Sequence, residues 1–172
     1  SADAYFPSTA GFTFSSNVEG SPVSDVNVRK AICYAIDSEA ITKALGGDLY
    51  EFTNQLAVPG SESYNDQVAG YPYDPEKAKE LLAEAGYADG FTLTATGSGA
   101  EQEAFYTLIQ AYLQEVGITL EIELVDSAVY NAKRMVAGDD NYEGLIFLQG
   151  AAVKERYFDV FGDNPTHYAR SM

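Results

Sequence analysis

Apolar and polar positions along the chain fall into two periods, and their alternation predicts an order of elements. Phe12 and Phe14 alternate with small polar residues, so residues 11–16 read as a half-buried strand, followed by a loop from Asn17 to Ser24. Val28, Ala31, Ile32, Ala35 and Ile36 recur at helical spacing behind Asp25, a capping residue type, which predicts a helix over 25–36. A second helix is expected behind Ser38 as its cap, with Ile41, Ala44 and Leu45 on one face and Gly46-Gly47 as the stop. Cys33, beside the first apolar stripe, reads as a small packed residue.

From Asp48 to Tyr73 no period is sustained, and turn residues punctuate the segment. Loops of that length inside a compact domain are usually functional or covered by a partner. Asp74-Pro75-Glu76 then opens a helix over 74–85, because a cap, a proline in the first turn and an early acid suit the positive helix end. Alternation resumes at 91–96, a Gly97-Ser98-Gly99 turn follows, and Phe105, Leu108, Ile109, Tyr112, Leu113 and Val116 predict a helix over 101–116.

Residues 118–124 alternate Ile, Leu, Ile, Leu with Thr119, Glu121 and Glu123, a strand with one wet face. Asp126 caps a helix over 127–137 that runs through Val129, Ala132 and Val136. Residues 142–148 end in a continuously apolar run, as for a strand covered on both faces, and 154–161 is a short helix candidate. Strand and helix alternating over 91–148 place the chain in the α/β class, as one domain built on a mainly parallel sheet flanked by helices. In such sheets ligands sit beyond the carboxyl ends of the strands.

Charge narrows the function. Ten Lys and Arg against twenty-six Asp and Glu give −16, a field that repels nucleic acids and anionic lipids. One cysteine excludes an internal disulfide and any Cys-based zinc cluster. No apolar run is long enough for a bilayer span, and no signal-peptide pattern is present. Thirteen Tyr and nine Phe, with no Trp, supply core and can also line a cleft for uncharged solutes.

Catalytic machinery is not visible. His167 is the sole histidine, and no serine has an elbow motif or a spaced His and carboxylate around it. Glu121/Glu123 and Asp139/Asp140 are carboxylate pairs, but one lies on a wet strand face and the other in a turn, so neither is read as a metal site. Gly97-Ser98-Gly99 precedes a helix start, where an anion can be received, yet it lacks the Lys-Ser/Thr of a phosphate loop. The expected ligand-binding residues are Asn17 and the stretch Gln149, Gly150, Ala151 and Ala152, both following strands, the second with small residues and an amide that donates and accepts. No catalytic residue, cofactor or metal is expected. An α/β enzyme and a protein-interaction module are the alternatives; the first needs a pKa-shifted group in a cleft, the second a large exposed apolar patch.

Two segments carry a family resemblance. Ser24 to Asp37 (SDVNVRKAICYAID) and Gly70 to Tyr87 (GYPYDPEKAKELLAEAGY) resemble, in order and separation, paired helix motifs of the peptide/nickel-type (family 5) extracellular solute-binding proteins of ABC importers. Gly90-Phe91-Thr92-Leu93 and Leu113 to Ile118 resemble the strand and helix end that follow, so the likeness runs from about Ser24 to Leu124. Asn27 departs from it, standing where the family usually has Arg, while Arg29 keeps the second basic position. The resemblance implies that residues 1–172 are one lobe of a longer two-lobed receptor with a type II periplasmic-binding-protein-like fold. It also implies a peptide or small solute as ligand, an ABC permease and the other lobe as partners, and an extracellular or periplasmic place with a membrane anchor in the full-length protein. In many peptide binders of the family the strand matching 142–148 runs into a Trp and an Asp that pairs with the peptide amino terminus; those positions here hold Gln149 and Ala152, with Glu155 close by.

Overall fold

The structure is a computed structural model; it describes residues 8–14, 18–135 apart from 56, 58 and 63, and 144–151. Four strands form one sheet: β1 (Ser8–Phe14), β2 (Phe91–Gly97), β3 (Ile118–Leu124) and β4 (Leu145–Ala151), in the order β1-β4-β2-β3. β2 lies parallel to β3 from Phe91↔Ile118 to Gly97↔Leu124, and parallel to β4 at Ala95↔Leu145 and Thr96↔Ile146. β1 runs antiparallel to β4, from Ser8↔Ala151 to Phe14↔Leu145. The sheet is thus mainly parallel with one antiparallel edge, a common form of large α/β sheets.

Among the described residues five helices accompany it: α1 (Val26–Ala35), α2 (Ser38–Gly46), α3 (Pro75–Glu84), α4 (Ala100–Glu115) and α5 (Ser127–Met135). Asp25 caps α1 by accepting from Asn27 N at 2.7 Å, and Asp74 caps α3 by accepting from Lys77 N at 2.9 Å. The cap of α2 differs from expectation: Asp37, not Ser38, accepts from Ala40 N at 2.9 Å. Ile36 is already extended, so the next helix opens one residue earlier than the serine suggests. Arg29 donates to the carbonyls of Val23 and Ser24, both at 2.9 Å, and pins the 3-10 turn Pro22–Ser24 to α1.

The core sits on one face of the sheet. Leu93, Ala95, Ile118, Leu120, Leu145 and Phe147 point there and are covered by Tyr106, Ile109 and Leu113 of α4. Behind them lie Val28, Ala31, Ile32 and Ala35 of α1 with Ala78, Leu81 and Leu82 of α3. Tyr106 Oη donates to Thr96 O at 3.0 Å, so its phenol is buried without losing a partner. Gly90 and Gly117, both at positive φ, let the loops entering β2 and β3 touch; a Cβ on Gly90 would collide with the Gly117 carbonyl.

The opposite face is polar over β2 and β3, where Thr92, Thr94 and Thr96 stand beside Thr119, Glu121 and Glu123, while β4 sets the buried Ile146 beside Thr96. In α5, Val129 (42% exposed) and Ala132 face outward while Tyr130 is buried and Lys133 lies against the sheet. Tyr130 Oη donates to Phe147 O (2.7 Å) and Lys133 Nζ meets Glu123 Oε2 (2.7 Å). Val136 and the 154–161 helix candidate lie outside the described residues.

Between α2 and α3 the chain forms a long loop containing one 3-10 turn, Gly47–Leu49. Amides close it on itself: Asn54 Nδ2 donates to Val68 O at 2.7 Å, Gln55 Nε2 to Asn65 O at 3.0 Å, and Asn65 N returns to Gln55 Oε1 at 3.1 Å. A loop held by its own side chains presents a fixed surface without regular structure.

Two strand boundaries correct the sequence reading. β1 begins three residues earlier than expected, and β4 covers 145–151 rather than 142–148. Gln149, Gly150 and Ala151 are therefore the end of a strand, not a loop after it, because each is paired with β1, at Ala10, Thr9 and Ser8. A partner strand, not the apolar run, decides where pairing stops.

Candidate functional site

Extending the β2–β4 register by one residue puts Gly97, the last of β2, level with Phe147. β4 continues to Ala151, so a two-stranded ribbon of β4 and β1 stands about 13 Å past the carboxyl end of β2, from four residues at ~3.3 Å each. The loops leaving β2 and β3 open at the foot of this ribbon. Val125 N donates to Gly97 O at 2.9 Å, and the hydroxyls of Ser98 and Ser127 meet at 3.2 Å, joining the two loops. Gln102 Oε1 accepts from Ser98 N at 2.7 Å, and Asp126 Oδ1 accepts from Ala128 N and Val129 N at 2.8 and 3.0 Å.

Below this end, on the polar face, an open groove of about 480 Å³ is lined by Thr94, Thr96, Glu121, Ile122, Glu123 and Lys133. Thr96 Oγ1 donates to Glu123 Oε2 at 3.2 Å, on the same oxygen that holds Lys133. The hydrogen bond from the Lys133 ammonium holds the Glu123 carboxyl below the usual carboxylate range, aided by its charge and by Thr96 and partly opposed by desolvation. The groove thus carries one neutralised acid and one further carboxylate, Glu121.

This set can hydrogen-bond a ligand but has no visible means of activating a nucleophile. Ser98 and Ser127 meet each other rather than a base. Cys33 lies in α1, away from the strand ends, and burial pushes its thiol up to about 11, so it stays protonated. Among the described residues no group of three or more His, Cys, Asp or Glu is placed to hold a metal ion; His167 and Asp139/Asp140 lie outside them.

Of the residues expected from sequence to meet a ligand, Asn17 and Ala152 lie outside the described residues, as does Glu155. Gln149, Gly150 and Ala151 are the outermost described residues of β4 in the projecting ribbon. The sequence reading took Ser98 as part of a Gly-Ser-Gly turn before a helix start, where an anion can be received, and did not single out Ser127, Thr96 or Lys133. Ser127 had a signal, since it follows the capping Asp126 at the end of a clear strand. Lys133 had none, because the direction of α5 depends on the polar sheet face beneath it.

Comparison with known proteins bears on this arrangement. Residues 2–153 match the family model described as bacterial extracellular solute-binding proteins, family 5 Middle. Heme-binding protein A of Haemophilus influenzae is 48% identical over 75 residues, 44% of this chain and 14% of that protein. The dipeptide-binding protein of Escherichia coli is 37% identical over 112 residues, 62% of this chain and 21% of that protein. The solved structure of the binding protein AgaA of Agrobacterium tumefaciens R10, in complex with agropinic acid, superposes with a TM-score of 0.76 at 28% identity, over 93% of this chain and 33% of that one. The chain therefore spans about a fifth or less of these curated relatives, and its fold is that of type II periplasmic binding proteins. Among the described residues no helix is long and apolar enough to cross a membrane. With the family model matched over most of its length, the chain belongs to the bacterial extracellular solute-binding proteins of family 5.

Proposed function

We propose that this chain is one lobe of a two-lobed receptor that takes up a peptide or similar small solute and delivers it to an ABC permease. The observation that carries the reading is the β1–β4 ribbon standing past β2 and β3, which walls one side of a polar shelf made by Ser98, Ser127 and the groove beneath. A half-walled shelf suits a ligand shared with a second lobe, which closes over it and is recognised in the closed form. Family membership supports the solute-binding role and an extracellular or periplasmic place; anchoring of the full-length protein to the membrane is part of the same proposal.

The relatives' names speak of haem, a dipeptide and agropinic acid, so the shared fold accommodates different ligands. For this receptor we infer a ligand without a free peptide ammonium held in the family's usual way, because Ala152 offers no charge where a buried ammonium needs one. An N-blocked peptide, a sugar or another neutral solute fits. Native mass spectrometry of the full-length protein purified from its host tests the reading: a small molecule released on denaturation supports it. A protein that carries none, and whose deletion leaves uptake of peptides and sugars unchanged, overturns it. A retained peptide whose free ammonium is held by Glu155 or another acid of this lobe would refute the ligand class alone.

A further inference from the structure

Four tyrosines gather at the amino ends of the strands, on the side away from the shelf. Tyr71 and Tyr73 flank Pro72 in the segment entering α3, and each takes a helix tyrosine edge-on: Tyr71 meets Tyr34 of α1 with centroids 5.2 Å apart at 86°, and Tyr73 meets Tyr112 of α4 at 5.6 Å and 77°. Asp74 N donates to Tyr34 O at 2.8 Å, which brings the two pairs side by side. Tyr112 lies within two turns of the start of β3, and this fixes the end of the sheet the panel occupies.

The panel is aromatic and negative but remains open. Tyr71 and Tyr73 are 47% and 41% exposed, and near-perpendicular pairing leaves ring faces unstacked. Tyr73 Oη donates to Glu115 Oε2 at 3.3 Å. Desolvation, then the charge of Glu115 and its hydrogen bond, push the Tyr73 phenol upward, and desolvation with the charges of Asp37 and Glu115 does the same to Tyr112; the hydrogen bond from Tyr73 places the Glu115 carboxylate beside the rings. Among the described residues neither Asp37 nor Glu115 has an ion-pair partner, and Lys77, the cation that α3 brings toward Tyr34, is held by Glu80 at 3.0 Å.

We propose that this panel is a docking surface for an arginine-bearing segment of a partner protein. A guanidinium lies flat on a tyrosine face and forms a two-pronged contact with a carboxylate beside it, and here both are offered within one surface. Lysine, a compact and strongly hydrated charge, gains less from the rings. The surface is separate from the solute shelf, so solute and partner bind together.

The test uses the full chain at physiological salt, which weakens diffuse attraction to its −16 charge. Hexa-arginine and hexalysine are titrated while tyrosine ring resonances are followed by NMR. The expected result is that hexa-arginine shifts Tyr34, Tyr71, Tyr73 and Tyr112 selectively and binds about threefold or more tighter than hexalysine. Tyr71→Leu with Tyr73→Leu lowers its affinity about fivefold, and Glu115→Gln about threefold. Glu115→Gln leaves every ring in place and keeps the test valid if the double variant folds poorly. Glu103→Gln, in the first turn of α4 and about three turns from Glu115, changes nothing beyond the loss of one diffuse charge. Equal binding of the two peptides, shifts spread over all acidic surfaces, or a Glu115→Gln loss no greater than that of Glu103→Gln overturns the proposal.

Discussion

The two faces of the sheet are built on different principles. Beneath α4 the contact is dry: Tyr106, Ile109 and Leu113 interlock with Leu93, Ala95, Leu120 and Phe147, and the polar groups present are paired. Beneath α5 one buried tyrosine and one lysine hold the helix to a face of threonines and glutamates. Burial of apolar area scales with the number of groups withdrawn from water, whereas two polar ties contribute little net stability each. The dry face therefore stabilises the domain, and the polar face positions the Ser127 end of α5 beside the shelf.

Substitution on each side sharpens that contrast. Ile109→Ala is expected to cost about 2–5 kcal/mol in urea unfolding, because it opens a cavity in the packed face; a loss below about 1 kcal/mol would mean that α4 is not the main support. Tyr130→Phe keeps the ring but removes the buried hydrogen bond to the Phe147 carbonyl, and about 1–2 kcal/mol is expected. Lys133→Met should cost at most about 1 kcal/mol, because its pair with Glu123 is partly exposed and screened. Val129→Ala, on the outward side of α5, should stay within about 0.5 kcal/mol; a larger loss would show that the Val129 side is buried in the protein.

Acid separates the faces in another way. Glu123 has its pKa depressed in the folded state, so the stability it contributes is present above the ordinary carboxylate value of about 4 and is lost as pH falls through the folded value. Its exposure keeps the effect small. Unfolding followed from pH 6 to pH 3 should show a slightly shallower decline for Glu123→Gln than for the unsubstituted chain; parallel declines would deny the pair any role in stability.

Local pattern made much of this legible. The strand 118–124 was readable to the residue, with its wet Thr119, Glu121 and Glu123, because period two needs no knowledge of neighbours. Asp25 and Asp74 announced their helices through capping chemistry. What stayed hidden depends on distant partners. Gln149, Gly150 and Ala151 looked like a loop because their strand character comes from Ala10, Thr9 and Ser8, far away in the chain. The orientation of α5 is set by the threonines and glutamates of β2 and β3 beneath it, so Val129 and Ala132, apolar at helical spacing, lie outward. The meeting of Ser98 and Ser127 needs the loops of two parallel strands side by side, which spacing alone does not convey.

Strand order has a consequence for how the molecule is made. Among the described strands β4 lies between β1 and β2, so these four cannot join until the chain has reached β4. Until then β1 lacks β4 as its partner and the β2–β3 pair has that inner edge bare, a template for unwanted pairing. Contacts of such long sequence separation are also slow to form, since the loop between them must be closed before any of them stabilises it. The intervening region has contacts that need no β4: the aspartate caps of α1 and α3 and the amide-clasped loop all close over short sequence separations.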